Sequence, residues 1–178
     1  DITHRLLNFA RHSQMKNKPI DLKMIIDEVL GFMTKEAEYR SIRVKLDIAE
    51  DIQGFKSDPG VLQEVFLNLL TNAFAAVNDG GSIEITGRLT PSQRVAVEIS
   101  DNGHGIPEQD LDRVFEPFFS TKIGKGGTGL GLSITYGLID DLGGSITVKS
   151  KVGEGTTFTV TVPLSPLPTE ESSREPGR

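Results

Sequence analysis

The chain has 178 residues, with 19 Lys and Arg against 25 Asp and Glu for a formal charge of −6, and it has no cysteine. That length suits one globular domain with small appendages, and a domain of ~150 residues buries roughly 68–70% of its unfolded surface, enough for a core without staples. Without cysteine there is no disulfide, thiol nucleophile or thiolate metal site; the acidic balance argues against a broad nucleic-acid surface, and no apolar stretch approaches the ~20 residues of a membrane-spanning helix.

Residues 1–15 place Ile2, Leu6 and Phe9 at helical spacing with neither cap nor signal peptide, and read as the cut end of a longer helical domain. Lys16 to Pro19 is a linker, because Pro19 stops a continuous helix. Asp21 is the expected N-cap of a helix to about Tyr39, with Ile25, Val29, Phe32 and Met33 turned inward. Ile42, Val44, Leu46 and Ile48 alternate with charged residues as in a half-buried strand, and a short strand follows near Gln53 to Lys56. Asp58-Pro59 starts a helix that runs to about Val77 and ends at Asn78-Asp79-Gly80-Gly81.

Ile83 and Ile85, then Val95, Val97 and Ile99, mark two strands. Pro107 to Phe115 reads as a short helix, 116–127 as a long loop, and Thr128 to Leu142 as a helix closed by Gly143-Gly144. Two final strands turn Ile146 and Val148, then Phe158, Val160 and Val162, inward; residues 163–178, rich in Pro, Ser and charge, are expected to be disordered. The outward positions Glu84, Thr86, Glu98, Thr147, Lys149, Thr157, Thr159 and Thr161 are all polar, so one sheet face meets water and helices cover the other. The expected fold is α+β: a two-layer sandwich with a mixed, mainly antiparallel sheet of about five strands under three helices.

Three features carry chemistry. Asp101 follows Val97 and Ile99 at the inward parity, where an unpaired charge is costly, so it either closes its own Asp-Asn-Gly turn or meets a ligand. Gly103 and Gly105 beside it permit tight turns and a ligand's close approach to backbone. On the helix after Pro59, Glu64, Asn68 and Asn72 share one stripe beside apolar Leu62, Phe66, Leu69, Ala73 and Ala76, and asparagines so placed need partners. Finally, seven of the 19 glycines fall between Gly103 and Gly131, and GKGGTGLGLSI (124–134) leads into a helix, a ready phosphate site. Its Gly124-x-Gly126-x-x-Gly129 spacing matches the dinucleotide fingerprint only weakly, since no strand runs into it, and the Walker pattern is absent.

In this order, NLLTNA (68–73), DNGHGIP (101–107), FEPFFSTK (115–122) and GTGLGL (127–132) resemble the N, G1, F and G2 boxes of the histidine-kinase ATP-binding domain. That domain belongs to the GHKL family with the Bergerat ATP fold; the resemblance covers about residues 21 to 164, where 150–164 looks like its usual last hairpin. It divides the chain into 1–18, the end of a helical dimerisation domain and linker; 19–164, the ATP-binding domain; and 165–178, a tail.

The resemblance implies that Asp101 accepts a hydrogen bond from the adenine amino group and that Asn72 binds Mg²⁺ through its side-chain oxygen. It puts Gly127, Gly129 and Gly131 at a phosphate-facing turn with Leu130 near the nucleotide, Asn68, Gly103 and Gly105 in the same ATP-binding set, and Ala76 and Ile106 in the pocket wall. Thr156, at the inward parity of Phe158, is a further candidate for an adenine-side hydroxyl. The segment 115–128 corresponds to the ATP lid, anchored by Phe115, Phe118 and Phe119, with Lys122 reaching the terminal phosphates. In the ATPase relatives a glutamate one turn before the metal asparagine activates water; here Asn68 stands there, and an amide is no general base. The expected activity is therefore phosphoryl transfer from Mg–ATP to a histidine of a dimerisation domain outside this chain, with no certain catalytic residue within it. Neither His4 nor His12 is followed by the acidic and proline pattern of the phospho-acceptor box, and His104 is expected to face solvent.

NAFAAV lacks the basic residue that many members carry after the asparagine, a charge that Lys122 or Lys125 could supply. Expected partners are the dimerisation domain, a downstream response regulator and, in the parent protein, a second copy; nucleic acid and direct membrane contact by this fragment are not expected, and the expected location is cytoplasmic, with membrane anchoring of the parent protein left open. The rival readings are a serine kinase of the anti-sigma-factor type and a non-catalytic nucleotide-binding module.

Overall fold

The computed structural model describes residues 17–119 and 128–165. It opens with strand β1 (Lys18–Pro19), which pairs antiparallel with β3 (Lys56–Ser57). Both replace expectations, a linker and a slightly earlier strand, because a two-residue pairing is too short for alternation to reveal. Helix α1 (Leu22–Gly31) is capped by Asp21, whose carboxylate accepts the Met24 N–H at 3.0 Å. The single helix expected to reach Tyr39 breaks after Gly31 and restarts as α2 (Thr34–Tyr39). Gly31 weakens the helix there, and the change of direction carries Phe32 off the stripe of Ile25 and Val29. Phe32, expected inward, is 73% exposed, whereas Met33 is buried.

After β2 (Arg43–Ile48), helix α3 (Pro59–Ala76) is capped by Asp58, which accepts from the Gly60 and Val61 amides, and has Pro59 in its first turn. The remaining elements are β4 (Ser82–Leu89), β5 (Arg94–Asp101), α4 (Glu108–Leu111), α5 (Gly131–Asp141), β6 (Ser145–Lys151) and β7 (Gly155–Pro163). Helix α5 begins three residues later than expected, because Gly129 is left-handed at φ +68° and the helical conformation cannot extend back through it.

The main sheet has the order β2-β4-β5-β7-β6, parallel only between β2 and β4. Helix α3 lies over it with Val65, Leu69 and Leu70 fully buried, flanked by α1 and α5, which gives the expected two-layer sandwich. Across the helix-covered face the register forms rows: Leu89, Val95 and Val162; then Gly87, Val97, Val160 and Ile146; then Ile85, Ile99, Phe158 and Val148. The next row reads Ile83, Asp101, Thr156 and Ser150. Three apolar rows thus end in one that is mostly polar, and the chemistry begins there.

The end of α3 has no glycine cap. Instead Arg40, following α2, donates from Nη1 to the Phe74 carbonyl at 2.8 Å and from Nη2 to the Val77 carbonyl at 2.6 Å. The same guanidinium meets Asp79 and Glu36, each at 2.9 Å. These hydrogen bonds, to Asp79 first and then Glu36, hold its pKa above the ordinary arginine value. A cation at this helix terminus also faces the negative end of the peptide dipoles.

Candidate nucleotide site

Asp101 is buried at the end of β5, and its Oδ1 accepts the Gly103 N–H at 2.8 Å, so it does close its own turn. That bond engages one carboxylate oxygen. Beside it, Thr156 is buried and its hydroxyl lies 2.8 Å from Ser150 Oγ. Ser150 donates its single proton to the Gly155 carbonyl and accepts from the Ile106 amide, both at 2.8 Å. A hydroxyl has one proton, so Thr156 must donate to Ser150, and its own lone pairs remain for an incoming donor.

The loop after Asp101 is threaded between α3 and the β6–β7 turn. The His104 N–H reaches the Ala76 carbonyl at 3.1 Å, and the Gly153 N–H reaches the His104 carbonyl at 2.9 Å. A Cβ at Gly103 would lie 2.4 Å from the Ala76 oxygen; one at Gly105, where φ is +73°, would lie 2.1 Å from the Lys151 oxygen. These two glycines therefore admit the protein's own backbone, as the tight turn expected of them requires. Ala76 and Ile106 are half-buried at the edges of this loop, and the His104 side chain is exposed.

On α3 the stripe is unequal. Glu64 is exposed, whereas Asn68 and Asn72 are half-buried. Asn68 donates from Nδ2 to Thr135 Oγ1 at 3.3 Å, and the fully buried Thr135 donates in turn to the Gly131 carbonyl at 2.9 Å. Asn72, one turn later, makes no side-chain hydrogen bond among the described residues. Phe74 is buried in the core and Ala75 is small and exposed, so α3 itself has no basic side chain in the turn after Asn72, and the cation at its end is Arg40, from the segment after α2.

At the start of α5, Gly129 packs on the backbone of Phe118, whose N–H donates to the Gly129 carbonyl at 2.9 Å, and a Cβ at Gly129 would come within 2.6 Å of that backbone. Leu130 and Gly131 are half-buried, and open space surrounds the missing Cβ of Gly131. Of the three expected lid anchors, Phe115 packs on Tyr136 and Phe158 with ring centroids 5.6 and 6.3 Å away. Phe119 sits under the Arg113 guanidinium at 4.6 Å. Phe118 is 72% exposed and left-handed at φ +65°, so it anchors through backbone and not through its ring. Lys122, Lys125 and Gly127 lie outside the described residues, as do residues 1–16 and the tail from 166.

A groove of about 540 Å³ between α1, α2 and β2 is lined by none of Asn68, Asn72, Asp101 or Thr156. Two residues of the site escaped the sequence reading. Ser150 continues the inward row of Ile146 and Val148, and Thr135 sits at core spacing among Leu132, Leu138, Ile139 and Leu142. In each case the available signal was a hydroxyl where the pattern calls for an apolar side chain.

Residues 57–166 match the family described as histidine kinase-, DNA gyrase B- and HSP90-like ATPase. The chain is 32% identical over 163 residues to the sensor histidine kinase ZraS of Salmonella typhimurium, covering 92% of this chain and 35% of ZraS. The catalytic domain of histidine kinase ThkA superimposes with a TM-score of 0.75 at 31% identity, over 84% of this chain and 96% of that one. Full-length ShkA in complex with AMPPNP gives 0.79 at 26% identity over 92% and 35%. ThkA in complex with the response regulator TrrA gives 0.75 at 26% identity over 97% and 48%. The chain spans about a third of ZraS, so these likenesses concern one domain. On the family match and on the agreement of fold and motif order, the chain belongs to the histidine kinase-, DNA gyrase B- and HSP90-like ATPase family, as a histidine-kinase catalytic ATP-binding domain.

Proposed function

We propose that the domain binds Mg–ATP between α3, α5 and the 101–105 loop and presents its γ-phosphoryl to a histidine on a separate helical dimerisation domain. The observation that carries the reading is the polar row Asp101–Thr156–Ser150 at the end of an otherwise apolar sheet face. Asp101 is an acceptor-only carboxylate with several lone pairs, so it can accept an exocyclic amine in addition to the Gly103 N–H, and Thr156 adds lone pairs from the neighbouring strand. Two acceptors side by side suit the two N–H groups of adenine's exocyclic amine.

Asn72 supplies a neutral amide oxygen beside the site, which suits a hard cation that keeps most of its waters and is otherwise held by phosphates. Mg²⁺ there would offset charge on the phosphates during transfer. The open space at Gly131 and the N-terminus of α5 suit close approach of phosphate to backbone amides. Lys122, in the role the family motif implies, adds a cation for the terminal phosphate. Asn68 cannot accept a proton from water and is engaged by Thr135, so the reading favours transfer to an external nucleophile over hydrolysis.

Support also comes from ShkA, solved with AMPPNP, and from ThkA, solved with a response regulator, the class of partner proposed downstream. Homodimerisation belongs to the parent protein in this account, and the cytoplasm is the proposed location. Among the described residues no helix is long and apolar enough to cross a membrane. The test is to supply the domain with Mg–ATP and an isolated histidine-bearing dimerisation domain. Acid-labile, base-stable phosphate on that acceptor is the expected product. Acid-stable phosphate on a serine acceptor favours the serine-kinase alternative, and binding without any transfer favours a non-catalytic module.

A further inference from the structure

Thr135 is the one fully buried hydroxyl of α5 among the described residues, at 0% exposure in a helix face that otherwise buries Leu138 and Ile139. Its oxygen lies 2.9 Å from the Gly131 carbonyl, which can only accept, so the hydroxyl proton is committed to that bond. Whatever else meets this oxygen must donate to it. Asn68 does so at 3.3 Å, through Nδ2. An asparagine amide has two ends of opposite polarity, and fixing one fixes the other: Oδ1 becomes the branch left over for a ligand. Asn68 and Asn72 stand one turn apart on the same stripe of α3, so two carbonyl-type oxygens are offered on one face.

We propose that Thr135 is a positioning residue: its hydroxyl sets the Asn68 amide so that Oδ1 serves the metal–nucleotide site, and it ties α3 to the first turn of α5. The inference rests on the nucleotide reading above and goes beyond it by assigning a residue that none of the four sequence boxes contains. An amide turned the other way would present N–H groups to a cation and its waters, which they cannot coordinate. Thr135 therefore acts on recognition of Mg–ATP and not of adenine, which lies at the Asp101 end of the site.

The test compares wild type, Thr135→Val, which keeps the shape and removes the hydroxyl, and Thr135→Ser, which keeps it. ATP affinity is measured by calorimetry with Mg²⁺ and again with EDTA. Thr135→Val is expected to lose about three- to tenfold in Mg–ATP affinity, the scale of one oriented hydrogen bond, with less than a twofold change in EDTA, while Thr135→Ser stays within twofold of wild type in both. An equal loss with and without Mg²⁺, or no loss at all, overturns the proposal, as does a serine variant as weak as the valine one.

A second readout uses the ligand-free protein. The Asn68 side-chain amide resonances should move in Thr135→Val and hold in Thr135→Ser; unmoved resonances in the valine variant contradict the hydrogen bond. If wild type binds no ATP in either buffer, the nucleotide reading fails, and with it the role assigned to the amide, even where the resonances report the bond itself. Should Thr135→Val fail to fold, Thr135→Ala replaces it with the same expectations.

Discussion

Replacing Arg40 by methionine removes the guanidinium that terminates α3 while keeping much of the side chain's apolar stem. Two charge-assisted bonds to the Phe74 and Val77 carbonyls are lost, at 2.8 and 2.6 Å, and such bonds contribute about 1.5–3 kcal/mol each when well buried. The arginine side chain is 21% exposed, so water recovers part of this, and a loss of about 2–4 kcal/mol is expected. The ion pairs add less than about 1 kcal/mol, because Glu36 and Asp79 are 51% and 77% exposed. For a domain of this size that corresponds to a Tm lower by about 5–12 °C.

Urea unfolding at low and at 0.5 M salt separates the two contributions: most of the loss should survive in salt, since the carbonyl bonds join neutral acceptors. Arg40→Lys keeps the charge without the fork and should recover at most half. The same turn holds the Ala76 carbonyl that receives His104, so amide exchange at His104 should quicken in the methionine variant. A loss under about 1 kcal/mol, or a lysine variant equal to wild type, refutes this account of how α3 ends.

Gly105→Ala should destabilise by about 3 kcal/mol or more in urea, since the new Cβ meets the Lys151 carbonyl and the backbone is left-handed. Gly131→Ala, with nothing near the added methyl, should leave stability within about 1 kcal/mol, yet lower ATP affinity at least tenfold by calorimetry if phosphate approaches there. Phe115→Ala should cost about 3 kcal/mol through its lost contacts with Tyr136 and Phe158, whereas Phe118→Ala, at an exposed ring, should cost under about 0.5 kcal/mol. Thermal unfolding of the two variants side by side decides it.

What the sequence made legible were features whose cause is local. Alternation in Ile83–Ile85 and Val95–Ile99 located β4 and β5, and Asp58-Pro59 located the start of α3, because side-chain parity and capping operate within a few residues. The inward placement of Asp101 followed from the same parity. Features set by distant contacts were hidden. Nothing local to Arg40 says that it will cap a helix ending at Ala76, and nothing in DNGHG says that its glycines make room for Ala76 and Lys151. The break after Gly31 was missed because Phe32 and Met33 both fit the helical stripe, and only the path toward β2 decides which one is buried.

The most direct test of the central claim is ATP binding by Asp101→Asn. Asparagine retains Oδ1 for the Gly103 N–H, so the turn should persist, and a cooperative urea transition checks that the variant is folded. Its other branch becomes a donor facing a donor. The account predicts that calorimetry with Mg–ATP then shows affinity reduced at least a hundredfold in a folded protein; binding at wild-type strength would contradict it.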